Sequence, residues 1–141
     1  MSSDGKDLNR IHDICRRFPE AEQGELQGRP LFHVRRRRFA IYNGENSPHR
    51  RRWERFGRSL HFATNPQLHA IVADDDRFSE SPHHGFRGWV AVDLEDQTVS
   101  WEEIAEFLEA AYRHVAAREL VEELDRSTSN RSINTSTPPQ Y

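Results

Sequence analysis

The sequence predicts a single α+β domain, because helical segments at both ends of the chain enclose a middle that is rich in strands. Its 141 residues suit one domain with a modest core. Apolar residues recur at helical spacing near 7–18 and over 100–124, whereas short β-prone runs dominate the region from 31 to 94. No apolar run is long enough for a membrane span, and the N-terminal residues do not resemble a secretory signal.

The first helix is predicted near 7–18, where Pro19 ends the helical run. Its apolar stripe consists of Leu8, Ile11, Ile14, Cys15 and Phe18. Because Cys15 falls on this stripe and no histidine–aspartate pattern accompanies it, we expect a buried structural thiol rather than a nucleophile. A single cysteine excludes an internal disulfide and fits the reducing cytosol.

The middle of the chain is predicted to be a hairpin followed by a further strand. The hairpin uses the β-prone runs 31–34 and 39–42, with four arginines (35–38) at its tip. Residues 43–58 form a long polar connection, and connections of that length in compact domains are usually functional or disordered. The next strand is predicted over 60–63.

The second half begins with a helix that Asn65 caps and Pro66 starts. The strongest strand signal is the run 88–94, which we expect near the centre of the sheet. Ser100 and Glu103 form a capping box at the start of the last helix. We expect Trp89, on the strong strand, and Tyr112, on the helix, to pack between sheet and helix.

The end of the chain is predicted to be disordered. From residue 127 onward the composition is polar, with Ile133 and Tyr141 as the only large apolar residues. The predicted domain therefore covers 1–126, and a disordered C-terminal tail covers 127–141.

Positive charge is concentrated in one part of the chain. Residues 29–58 hold ten arginines and two acids, a balance of +8 in a chain of net charge −3, so the remainder carries −11. Such a patch is typical of an anionic partner, nucleic acid above all. A solvated arginine-rich loop is the alternative. The candidate nucleic-acid-binding residues are Arg35, Arg36, Arg37, Arg38, Arg50, Arg51, Arg52, Arg55, Arg58 and Trp53.

Eight histidines provide a second candidate site. The segment 81–85 (Ser-Pro-His-His-Gly) is the most suggestive, but no zinc-ligand spacing, phosphate loop, dinucleotide fingerprint or nucleophile elbow accompanies it. We therefore expect neither a metal nor a cofactor, and no catalytic residues. The alternative hypothesis is a pocket for a small anionic ligand or a protein, lined by His61, His83, His84, Arg87 and Trp89.

Eight short motifs follow one another in a recognisable order: 18–21, 28–34, 38–40, 75–78, 81–85, 88–90, 100–104 and 111–116. In this order they resemble the MmcQ/YjbR family over about residues 7–124. The resemblance implies an antiparallel sheet packed against about three helices, in a double-wing arrangement related to the CyaY-like fold. Members are commonly labelled DNA-binding, and the resemblance supplies no catalytic set.

This sequence departs from the family pattern at two places. Arginines replace a glycine-containing turn in the 31–42 hairpin, and the connection 43–58 is long. Both departures add positive charge. We therefore expect a small cytosolic, monomeric and non-enzymatic domain that binds DNA through arginine–phosphate contacts with little base readout, and no membrane partner.

Overall fold

The computed structural model describes residues 3–26, 28–43, 58–80 and 88–136. These residues form four helices and six strands. In chain order they are α1 (Ser3–Cys15), β1 (Ala21–Leu26), β2 (Arg29–Val34), β3 (Arg37–Asn43), β4 (Ser59–Ala63), α2 (Pro66–Val72), β5 (Phe78–Glu80), β6 (Trp89–Asp93), α3 (Trp101–Val115) and α4 (Arg118–Ser136).

The strands form one antiparallel sheet in the order β1-β2-β3-β4-β6-β5. The predicted α+β class with an antiparallel sheet is confirmed. Strand β6, which the sequence places near the centre, lies inside the sheet but next to the edge strand β5. The two edge strands, β1 and β5, are absent from the sequence prediction.

One face of the sheet packs against α3 through aromatic side chains. Phe62 of β4 stacks on Phe107 of α3, with ring centroids 5.4 Å apart and planes at 10°. Tyr112 of α3 is fully buried and lies 5.0 Å from Phe18 and 5.8 Å from Phe39, measured between centroids. The predicted position of Tyr112 between sheet and helix is confirmed. Such aromatic contacts add stability beyond the area they bury.

The other face of the sheet is buried as well. Phe62 points toward α3, so the pleat turns its neighbours His61 and Ala63 to the opposite face. Ala63 pairs with Trp89 across β4 and β6, and Trp89 is only 7% exposed. The expected burial of Trp89 is therefore confirmed. Trp89 also lines a concavity together with Val115 of α3.

The predicted helix starts agree with the structure, and one predicted helix is divided in two. The side chain of Asn65 accepts the hydrogen bond of the Leu68 amide at the start of α2. Ser100 and Glu103 form the capping box of α3. The helix predicted over 100–124 breaks at Ala116, whose φ of −73° and ψ of 151° are extended. The chain then restarts as α4 at Arg118.

Helix α4 extends into the segment predicted to be a disordered tail. Its backbone is helical through Ser136, whereas irregular chain is expected from residue 127. Once its first turns are held by the buried side chains of Leu120 and Leu124, the helix extends at one hydrogen bond per residue. Residues 137–141 lie outside the described residues.

Deleting residues 127–141 is expected to leave the melting temperature unchanged within error. Leu124 is the last buried residue of α4 among those whose side chains the structure describes, so the deletion removes no described core contact. The matched variant Leu124→Ala should lower the free energy of unfolding by about 2–4 kcal/mol. Thermal unfolding measures the melting temperature of the deletion variant, and denaturant unfolding measures the free energy of unfolding of Leu124→Ala. A deletion that lowers the melting temperature by several degrees would show that this segment packs on the domain.

Candidate functional site

The arginine-rich hairpin closes through a tighter turn than the sequence predicts. Val34 pairs with Arg37, so only Arg35 and Arg36 form the loop, and Arg37 and Arg38 belong to strand β3. Arg35 has a φ of 55°, in the left-handed region that two-residue hairpin loops require. For a residue with a Cβ this conformation costs about 1–2 kcal/mol.

Arg35 is held by contacts within the chain that offset this cost. Its Nε and Nη2 donate to the two carboxylate oxygens of Glu20 at 3.1 and 3.2 Å, and its Nη1 donates to Glu119 at 3.0 Å. These hydrogen bonds lower the pKa of Glu20 and raise the pKa of Arg35. Arg35 thus links the hairpin tip to the turn before β1 and to the first turn of α4. A phosphate that uses this guanidinium must compete with two carboxylates.

The next three arginines lie together in a shallow concavity, which we call the arginine concavity. It measures about 360 Å³ and is lined by Arg36, Arg37, Arg38, Trp89 and Val115. The hairpin, the start of β6 and the end of α3 meet there. Among the residues that the structure describes, its lining contains three cationic side chains and no carboxylate.

The three arginines of the concavity are all exposed. Within the described part of the chain, neither Arg36 nor Arg37 forms an ion pair with a carboxylate. Their guanidinium groups are therefore available to an anion from solution. A planar guanidinium presents several donors to phosphate oxygens at once.

Arg58, a predicted nucleic-acid-binding residue, is instead partly buried and paired within the chain. Its Nε donates to Asp7 of α1 at 2.8 Å, and its Nη2 donates to the carbonyl of Leu94 at 3.1 Å. The hydroxyl of Tyr42 donates to the same Asp7 oxygen at 2.8 Å. The side chains of Arg58 and Asp7 are 17% and 8% exposed. This network joins α1 to β3 and to the segment entering β4.

The sequence of this domain matches a known family. The YjbR family model matches residues 16–114, more than two thirds of the chain. The chain belongs to the YjbR family. The match runs from the end of α1 almost to the end of α3, and it includes four of the five residues that line the arginine concavity. A search among curated proteins found no match.

The predicted sites of this YjbR chain extend partly beyond the described residues. Five candidate nucleic-acid contacts lie outside them: Arg50, Arg51, Arg52, Trp53 and Arg55. Three members of the alternative ligand site also lie outside them: His83, His84 and Arg87. These assignments stay predictions.

The two described members of the alternative site, His61 and Trp89, share the sheet face that points away from Phe107. His61 is 3% exposed, and its Nε2 lies 3.1 Å from the Ser59 hydroxyl. Trp89 also lines the arginine concavity. The two predicted sites therefore adjoin each other through Trp89. The sequence does not identify Val115 as a site residue, because it reaches the concavity only through the packing of α3.

Other chemically notable side chains of the YjbR domain have structural surroundings. Cys15 is buried, as predicted, and burial raises the pKa of its thiol. Arg77 donates to Asp75 and Glu103 and so joins the start of β5 to the first turn of α3. Among the described residues, no cluster of three histidine, cysteine or acidic side chains is arranged to hold a metal. No described helix combines the length and apolar character that a bilayer span requires.

Proposed function

We propose that this YjbR-family protein binds DNA through phosphate contacts made by Arg36, Arg37 and Arg38, and that it has no catalytic activity. The observation that carries the proposal is the arginine concavity, where the exposed side chains of three arginines converge and none of the other described lining residues is acidic. Arginine is well suited to phosphate because it donates several hydrogen bonds in a fixed plane.

The charge distribution supports one binding face. The region 29–58 carries +8 and the rest of the chain −11, so surfaces remote from the hairpin repel a polyanion. Nothing in the sequence resembles a recognition helix, so we expect little base readout and a dissociation constant of roughly 1–100 μM at physiological salt.

A salt titration of DNA binding tests the proposal. Each phosphate contact contributes about −0.9 to the slope of log affinity against log salt, so three contacts give a slope of about −3. Contacts from the 50–55 segment would make it steeper. The double variant Arg36→Ser/Arg37→Ser should flatten the slope by about two, because it removes two contacts. Fluorescence anisotropy with a labelled oligonucleotide measures affinity across the salt series.

The matched control removes the same charge from another surface. Lys6→Ser/Arg10→Ser takes two exposed cations from α1 and should leave the slope unchanged. If the slope of log affinity against log salt becomes equally flatter in both double variants, net charge alone drives association. Absence of binding at low salt, or binding that the Arg36/Arg37 variant leaves intact, would contradict the proposal.

A small anionic ligand is the second candidate. It is favoured by the concave shape of the site and by Trp89, which joins the arginines to the face that carries His61. This function predicts saturable binding of a small phosphate or carboxylate compound with weak dependence on salt. The DNA proposal predicts a strong dependence instead.

A further inference from the structure

The shape of the arginine concavity is a poor match for duplex DNA. A duplex presents its phosphates on a convex surface and keeps its bases stacked inside, so it can touch the rim arginines but cannot fill a recess. The concavity is shallow and measures about 360 Å³, at the lower end of the volume range for small-ligand sites. The concavity therefore suits a single chemical group that projects from its ligand.

The chemistry of the lining is divided between charge and apolar surface. Arg36, Arg37 and Arg38 supply cations, whereas Trp89 and Val115 supply an indole and an aliphatic side chain. A phosphate alone would contact the arginines and leave the apolar surface of Trp89 and Val115 uncovered. A nucleotide that is not base-paired has both a phosphate for the arginines and an aromatic base for the apolar wall.

We propose that the arginine concavity binds an unpaired nucleotide, so that the protein prefers single-stranded DNA, or the unpaired end of a duplex, to continuous duplex. The phosphate of this nucleotide lies on the arginines of β3 and the hairpin loop, and its base packs against Trp89 and Val115. This inference rests on the proposed DNA binding and specifies which form of DNA the same site takes.

The position of Trp89 determines the kind of base contact. The indole is only 7% exposed, and strand pairing with Ala63 holds its backbone in place. A base therefore meets the accessible part of a fixed ring rather than stacking on a mobile one. Aromatic contact of this kind is tolerant of base identity, because every base has an aromatic ring. We expect weak preference among the four bases.

The test compares DNA forms at one salt concentration. A labelled single strand, a blunt duplex of the same length and a duplex with a single-stranded overhang are titrated with the full chain. We expect the single strand and the overhang to bind about fivefold more tightly than the blunt duplex, at the low end for one base contact because only a small part of the indole is accessible. Free nucleoside monophosphate is added as a competitor in a further arm.

A spectroscopic readout reports on the site itself. The chain has three tryptophans, so the double variant Trp53→Phe/Trp101→Phe leaves Trp89 as the only indole and keeps an aromatic ring at the predicted contact Trp53. Its fluorescence should change on addition of single-stranded DNA and stay constant on addition of blunt duplex. This measurement leaves all five lining residues intact.

A matched pair of substitutions fills the recess or leaves it open. Val115→Phe places a larger side chain in the lining, and His114→Phe places the same side chain at the neighbouring exposed position of α3. The first should abolish the preference for single strands while duplex affinity is retained, and the second should change neither. Thermal unfolding confirms that both variants are folded.

The outcomes separate this inference from the proposed function. If single strand and blunt duplex bind with equal affinity and the fluorescence of Trp89 does not change, the unpaired-nucleotide site is overturned. DNA binding itself is not. No binding of any DNA form overturns both. If free nucleoside monophosphate displaces the labelled strand at a concentration similar to that of the strand itself, that result shows a small-ligand site and overturns the strand preference. A preference for single strands that Val115→Phe removes supports the inference.

Discussion

Replacing Asp7 by alanine is expected to lower the free energy of unfolding by about 3–5 kcal/mol. The carboxylate accepts hydrogen bonds from the Arg58 Nε and the Tyr42 hydroxyl, each at 2.8 Å, and its side chain is 8% exposed. Its removal leaves the partly buried guanidinium of Arg58 with the Leu94 carbonyl and the more distant Glu95 carboxylate at 3.8 Å. It also removes the acceptor of the buried Tyr42 hydroxyl. Breaking one side of such a pair costs more than the pair itself contributes, because the remaining charge stays desolvated.

Urea unfolding of three variants measures this effect. Tyr42→Phe removes one hydrogen bond and keeps the ion pair, so it should cost only about 1 kcal/mol. Asp13→Ala serves as the matched control, because this carboxylate lies on the same helix and forms an exposed pair with Arg16 at 3.7 Å. It should change stability by less than about 0.5 kcal/mol. A similar loss for Asp7→Ala and Asp13→Ala would show that the network does not hold α1 to the sheet.

Replacing Trp89 by alanine is expected to cost about 3–5 kcal/mol, typical of a truncated buried aromatic residue. Trp89 is 7% exposed, pairs with Ala63 across β4 and β6, and lines the arginine concavity together with Val115 of α3. Trp89→Phe keeps much of the ring volume and should retain most of the stability. Denaturant unfolding followed by far-ultraviolet circular dichroism provides the measurement, since it does not depend on the indole signal.

Phe107→Ala provides a reference from the opposite face. Phe107 stacks on Phe62 and meets Phe78 edge to face at 5.2 Å, so its loss should also be several kcal/mol. If Trp89→Ala proves nearly neutral while Phe107→Ala is costly, the side chain of Trp89 contributes little to the stability of the core.

Elements with strong local signals were predicted from the sequence, whereas those defined by tertiary pairing were not. The capping box at Ser100 and the Asn65 cap mark helix starts through contacts within one turn. Strand β1 has a half-exposed edge and mostly polar residues, so it lacks an apolar pattern. The break at Ala116 has no glycine or proline to mark it, and alanine favours helix, so only packing reveals it.

The candidate site was likewise predicted only in part, because the sequence shows where charge is concentrated but not which charges are paired in the fold. The charge window identified Arg36, Arg37 and Arg38, and the structure groups them in one recess. The same window included Arg58, which the fold pairs with a carboxylate 51 positions earlier in the chain. Composition counts charges without their partners. It therefore cannot separate an arginine that faces solvent from one that holds two elements together.

The two edges of the sheet limit how the protein associates with other chains. Strand β1 exposes Glu22, Gln23 and Glu25 at one edge, and β5 at the other edge is only three residues long. Charged side chains and short strands discourage the backbone pairing that leads to fibrils and strand exchange. Growth of the sheet from one molecule into the next is therefore disfavoured at both ends. We expect the protein to tolerate high concentration without forming β-rich aggregates.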